Sequence, residues 1–167
     1  MRAFARPGFR LATASLEIRV TYAAFLLLLF PGIATLIGLS AARVGITPAA
    51  ISAYYRGGAA EEMSFPKPLW QLVETAHFHL FAIPVVILIL THLLFAAGVW
   101  RRSHLPITLA CWVGAALDVF SPLAIRYLAA SFAWALLSGW LLLGTGMTAA
   151  ALLSFVGLWR QAPVAAP

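Results

Sequence analysis

The sequence predicts an all-α fold, an integral membrane four-helix bundle: four transmembrane helices, short connections and one longer outer loop that carries a short helix. Three observations lead there. Of 167 residues, 63% are hydrophobic and only 10% are charged, far from the balance of a water-soluble domain. Mean hydropathy is +0.95. The apolar residues also gather in four runs, each near or above the roughly 20 residues that a helix needs to cross hydrocarbon. Helices are the expected form because each satisfies its own backbone hydrogen bonds where no water can.

The elements follow in chain order. Residues 1–19 make a basic arm in which Phe4, Phe9, Leu11, Leu16 and Ile18 alternate loosely with arginines. That pattern suits a segment lying on the membrane surface, and equally a plain positively charged flank. The membrane domain spans 20–160, and its first span runs from Val20 to about Ala42. Ser40-Ala41-Ala42 resembles a signal-peptide cleavage site. The apolar run before it exceeds a signal core of about 7–15 residues, so a retained span is expected.

Residues 43–68 form the substantial loop. Thr47 suits an N-cap, Pro48 the first helical position and Gly57-Gly58 a stop, which predicts a helix over Ala49–Arg56. Phe65-Pro66-Lys67-Pro68 is stiff and extended, and Pro68 suits the start of the next helix. Such a loop can form a lid over its end of the bundle. The second span covers Leu69 to Trp100, the third Leu105 to about Tyr127 and the fourth Phe132 to Trp159. Brief links make spans two and three, and three and four, antiparallel neighbours. Residues 161–167 are expected to be a disordered tail.

Pro31, Pro84 and Pro122 fall within spans, where each removes a helix hydrogen bond. Small residues recur at helical spacing as Ala34, Gly38 and Ala42, as Ala110 and Gly114 leading to Asp118, and as Gly144, Gly146, Ala149 and Ala150. Such stripes let helix backbones approach closely.

The net charge of +6 is no sign of nucleic-acid binding, because the basic residues sit at span ends and not on one soluble face. Arg2, Arg6, Arg10, Arg19, Arg101, Arg102 and Arg160 share one side of a four-span topology, against Arg43, Arg56, Lys67 and Arg126. Seven against four places both termini in the cytoplasm. A bacterial inner-membrane location is the matching expectation. The single cysteine, Cys111, excludes an internal disulfide and reads as packing. Phosphate-cradling glycine loops and serine–histidine triads are absent, which argues against a nucleotide enzyme or a hydrolase.

Three of the four histidines, His77, His79 and His92, lie in the second span. Ionisable groups are costly in hydrocarbon, so this cluster is the first candidate for function. At 100° per residue Glu74 and His92 share an azimuth, His77 lies within 60° of both, and His79 lies well round the helix. His77 and His92 are about 22 Å apart along the axis, one in each leaflet. His104 falls in the basic link and reads as solvated.

One helix offering His77 or His79 together with His92 resembles the haem-bearing helix of b-type cytochromes. The two intervals fall one residue to either side of the spacing usual there, and no other span contains a histidine. That resemblance implies haem b, with the second axial ligand from another subunit, a homodimer, or Met147 of the fourth span. The His79–His92 spacing is also similar to part of the copper-site helix of membrane monooxygenases, whose carboxylate ligand is replaced here by Thr75. Separately, Glu74-Thr-Ala-His77 is a Glu-x-x-His pair of the kind that carboxylate-bridged metal proteins use, with Glu61 or Glu62 as further donors. Glu74, His77, His79 and His92 are therefore the candidate metal ligands, for a copper or iron ion.

Asp118 shares the small-residue face of the third span and should look into the bundle, with His92 or Arg126 as partner. His92 and Asp118 form the candidate proton-transfer pair. Arg126 sits level with Glu74 and His77, where it can neutralise Glu74, a haem propionate or a quinone oxygen, or snorkel to headgroups.

The leading functional expectation is a redox accessory subunit that binds haem b or a transition metal ion and exchanges electrons with quinol or a partner cytochrome. Two others stand beside it: a cofactor-free structural or assembly subunit of a larger membrane complex, and a proton- or ion-conducting subunit. The expected partners are the lipid bilayer and other membrane subunits or a second copy, with no nucleic acid.

Overall fold

A computed structural model describes residues 9–58 and 65–160. It contains five α-helices: α1 (Leu16–Arg43), α2 (Pro48–Arg56), α3 (Leu69–Ala97), α4 (His104–Tyr127) and α5 (Ala133–Trp159). Four of them, all but α2, are long and apolar enough to cross a membrane. Their outward faces carry exposed large side chains such as Leu28, Phe78, Phe81, Phe120 and Leu141. Rows of that kind are at home against lipid rather than water.

The spans agree with the sequence reading except at their ends. α1 begins one turn earlier, at Leu16. α3 stops at Ala97 because Gly98 adopts a left-handed conformation (φ 65°), and Trp100 does the same outside the helix (φ 46°). Gly98 can take that conformation without a Cβ penalty. Pro31, Pro84 and Pro122 all lie inside continuous helices, with no cis peptide bond among the described residues.

α4 and α5 form the most extensive interface, α3 packs on both, and α1 leans chiefly on α5. The α4–α5 crossing is built on two glycines. A Cβ placed on Gly114 would come 2.5 Å from the Leu143 amide nitrogen, and one on Gly139 would come 3.2 Å from the Gly114 oxygen. Gly146 gives room to the Cys111 thiol, and Gly157 lies against Ala97 of α3. Buried Cys111 is thus a packing group, as expected. The stripe on α1 is a correction: Ala34, Gly38 and Ala42 are exposed, and nothing lies within 4 Å of a Cβ on Gly38. Small residues permit close packing but do not compel it.

Where the N-terminal arm is described, a 3-10 turn at Leu11–Thr13 tucks the fully buried Leu11 into the main core, while Arg10 and Thr13 stay exposed. Arg19 stacks over the Trp159 ring at 4.5 Å and ties α1 to the end of α5. The expectations for residues 1–8, for Glu61 and Glu62 and for the 161–167 tail fall outside the described residues.

The loop lid has the predicted caps. The Thr47 hydroxyl accepts from the Ala50 amide at 3.2 Å, Pro48 opens α2, and Gly57 ends it at φ 91°. α2 then buries Ile51 against Ile125, Ala133 and Leu136, closing that end of the bundle. The returning strap is pinned twice: the Lys67 amide donates to the Tyr55 carbonyl at 3.1 Å, and Arg126 Nε donates to the Lys67 carbonyl at 3.2 Å. Arg56 Nη1 donates to the Ile125 carbonyl at 2.9 Å. Thr47→Ala removes the cap and is expected to cost about 1 kcal/mol. Limited proteolysis of the 43–68 loop in the purified protein measures this, as faster cleavage with the four spans intact.

Candidate functional site

α3 runs antiparallel to α4 and brings its third turn beside the middle of that helix. There His79 Nδ1 donates to Asp118 Oδ2 at 2.6 Å. From α5, the Trp140 indole N–H donates to Asp118 Oδ1 at 2.9 Å. Both carboxylate oxygens are engaged, as a buried acid requires. Asp118 can approach so closely because Gly114, one turn before it, brings α4 against α5. The Asp118 side chain is 9% exposed and that of His79 30%. His79 Nε2 has no hydrogen-bond partner among the described residues.

The pair forms a wall of a cavity of about 320 Å³ near the α2 end. Ser40 and Arg43 of α1 line one side, and Gln71 and Thr75 of α3 the other. Tyr54, Tyr55 and Lys67 belong to the lid. Lys67 Nζ sits 4.2 Å from the centre of the Tyr54 ring. Burial first, then the neighbouring Tyr54 and Asp118, pushes the Tyr55 phenol above its ordinary range. Tyr55 therefore stays a neutral hydroxyl, able to donate or accept into the cavity. A second, smaller cavity of about 100 Å³ continues from the same wall toward the middle of the bundle.

The other candidates are not brought together. His77 is exposed and packs its ring on Phe81 at 4.9 Å. His92 is exposed too, and its Nδ1 donates to the Leu88 carbonyl of its own helix at 2.9 Å. Glu74 lies on the same outer side and makes no hydrogen bond or ion pair among the described residues. The expected face of Glu74, His77 and His92 thus points away from the bundle, and the histidine set apart from it by azimuth points in. The pairing of Asp118 with His92 or Arg126 is corrected: its partners are His79 and Trp140. Thirteen residues separate His79 from His92, about 20 Å along α3, too far for a direct proton transfer between His92 and Asp118.

Arg126 serves the strap, bonded to the Lys67 carbonyl and stacked near Tyr127 at 5.1 Å, and does not line the cavity. Met147 is buried in the main core and borders the smaller cavity. His104 is not free in solvent, since its Nε2 donates to the Val99 carbonyl at 2.8 Å. Among the described residues no three His, Cys, Asp or Glu side chains converge as ligands of one metal ion. Within the bundle a haem iron or a copper ion would meet one imidazole, its Nδ1 already committed to Asp118.

Trp140, Tyr55 and Gln71 are site residues that the sequence reading did not assign. Trp140 carried a signal. It lies two turns inside a span, away from the interfaces where indoles collect, and a buried indole N–H requires an acceptor.

Comparison with curated proteins and with solved structures gave no match. A family model, Aq_1264_TM, described as a transmembrane helical domain, matches residues 45–165. That stretch holds α2 to α5, and with them His79, Asp118 and Trp140, while α1 precedes it. With most of its length matched, this integral membrane protein belongs to the Aq_1264_TM family of transmembrane helical domains.

Proposed function

We propose that the chain is a redox-linked accessory subunit whose contribution is a quinone site, with the quinone head held in the cavity beside His79. The observation that carries this reading is the 2.6 Å contact between His79 and Asp118 at the wall of a cavity in an otherwise apolar bundle. A quinone head is a flat, mostly apolar ring with two oxygens that want hydrogen-bond donors, or, once reduced, acceptors. His79 Nε2 suits one of them. The neutral Tyr55 hydroxyl and the Gln71 amide suit the other.

Asp118 orients the imidazole by fixing its Nδ1 proton, and so leaves Nε2 as the nitrogen that takes up or delivers a proton. Trp140 holds the carboxylate in place from the far side. Bound quinone would supply two-electron, two-proton redox chemistry. The electrons would pass to a haem- or metal-bearing partner subunit, which keeps part of the original redox expectation while moving the metal off this chain.

Binding of a short-chain benzoquinone to the purified protein in nanodiscs tests this. The expected result is one saturable site per chain, weakened at least tenfold by His79→Leu and by Asp118→Asn. Equal, non-saturable uptake by wild type and both variants rejects the quinone reading. A cofactor-free assembly subunit would then be the better description.

A further inference from the structure

We infer that the site takes a single-tailed ligand, and that the tail leaves the polar cavity through a slot between α1 and α5 that passes over Gly144. This rests on the quinone reading and adds the ligand's second half, an isoprenoid chain, together with its route.

The two cavities are continuous in their walls. Leu36, Ser40, His79, Asp118 and Trp140 border both. Beyond those shared residues their chemistry diverges. The larger cavity runs toward Tyr55, Gln71, Arg43 and Lys67 at the lid. The smaller runs along Ile33 and Ile37 of α1 and Leu143, Gly144 and Met147 of α5. A more polar chamber and a more apolar slot therefore meet at these shared residues, which is the division within an amphipathic molecule with one chain.

Gly144 keeps the slot open. Its nearest neighbour would be Ile37 Cδ1, 3.8 Å from a Cβ built there. Unlike Gly114, it is not needed for two backbones to meet, so its missing side chain translates into space. Leu36 and Ile37, which line the slot, are themselves exposed, so a longer chain can pass between α1 and α5 into surrounding lipid. A slot of about 100 Å³ has room only for the carbons nearest the head.

The test uses two benzoquinones with the same head, one bearing a single isoprene tail and one bearing only a methyl group, compared at equal mole fraction in nanodiscs. Wild type should bind the tailed compound at least tenfold more tightly. Gly144→Leu should remove that preference, weakening the tailed compound at least tenfold and the methyl compound less than twofold. Ile37→Trp narrows the slot from α1 and should do the same, which guards against a folding defect in the first variant. Equal affinities of wild type for the two compounds, or equal losses for both in the two variants, overturn the tail route while leaving the head site intact. Failure of both compounds to bind wild type overturns the head site and the route together.

Discussion

Gly114→Ala should destabilise the bundle by about 1–3 kcal/mol or more, although it adds one methyl group to a helix interior. On propensity alone the substitution favours a helix by roughly 1 kcal/mol. Geometry reverses the sign. The new Cβ would stand 2.5 Å from the Leu143 amide nitrogen and 2.9 Å from both the Gly139 oxygen and Leu143 Cα. All three are backbone atoms, so no side chain can rotate away and α4 must move off α5. Asp118 is one turn along the same face, and its contact with Trp140 would stretch with the crossing. Gly38→Ala is the control, because nothing lies within 4 Å of its Cβ and propensity is left to act alone. Thermal unfolding in detergent should show a clear loss for the first variant and none for the second. Equal midpoints would mean that the α4–α5 crossing is not the tight contact described.

The contrast between these glycines marks how far the sequence could be read. Span number, neighbour order and the capped lid helix were legible. Each depends on local signals: an apolar run, a short link, a Thr-Pro start and a glycine stop. The Asp118 face was legible for the same reason, since Ala110 and Gly114 stand one turn apart below it. The rotation of α3 was not. A soluble helix shows its buried side by contrast with a polar one. On α3 both the lipid side and the bundle side are apolar, so periodicity carried no direction. The shared azimuth of Glu74, His77 and His92 marks a face without saying whether it turns toward the bundle or toward lipid. Packing settles the matter through Leu72, Ile87, Leu90 and Leu94, all buried and none distinguishable by type from exposed Leu80, Leu88 or Ile89.

The same ambiguity explains α1. Its Ala34, Gly38 and Ala42 stripe matches the pattern of a close crossing, yet the helix packs through Ala23, Leu26 and Ile33 instead. Tertiary partners that can fill or ignore a small-residue groove are not encoded in the stripe itself. Trp140 was readable in principle, because an indole two turns inside a span needs an acceptor. Naming Asp118 as that acceptor required knowing how α4 and α5 are rotated against each other.

Asp118→Ala is expected to be the most disruptive polar substitution, and more disruptive than removal of either of its partners. Wild-type Asp118 accepts from His79 at 2.6 Å and from Trp140 at 2.9 Å. A hydrogen bond contributes about 0.5–1.5 kcal/mol net, and a buried donor left without an acceptor costs about 1–3 kcal/mol. Removing the carboxylate incurs the second penalty at two places, although His79 is partly open to the cavity and recovers some of it. Trp140→Phe deletes one donor and leaves Asp118 held by His79, so a loss of about 1 kcal/mol is expected. A cycle of Asp118→Ala, His79→Leu and the double variant then separates the terms. Once His79 is gone, Asp118→Ala strands only the indole, and the double variant should be more stable than the sum of the single losses predicts. Simple additivity in detergent unfolding would show that the two side chains do not share a proton-bearing contact. Asp118 would then not orient the imidazole, and the chemistry proposed for the cavity would lose its positioned base.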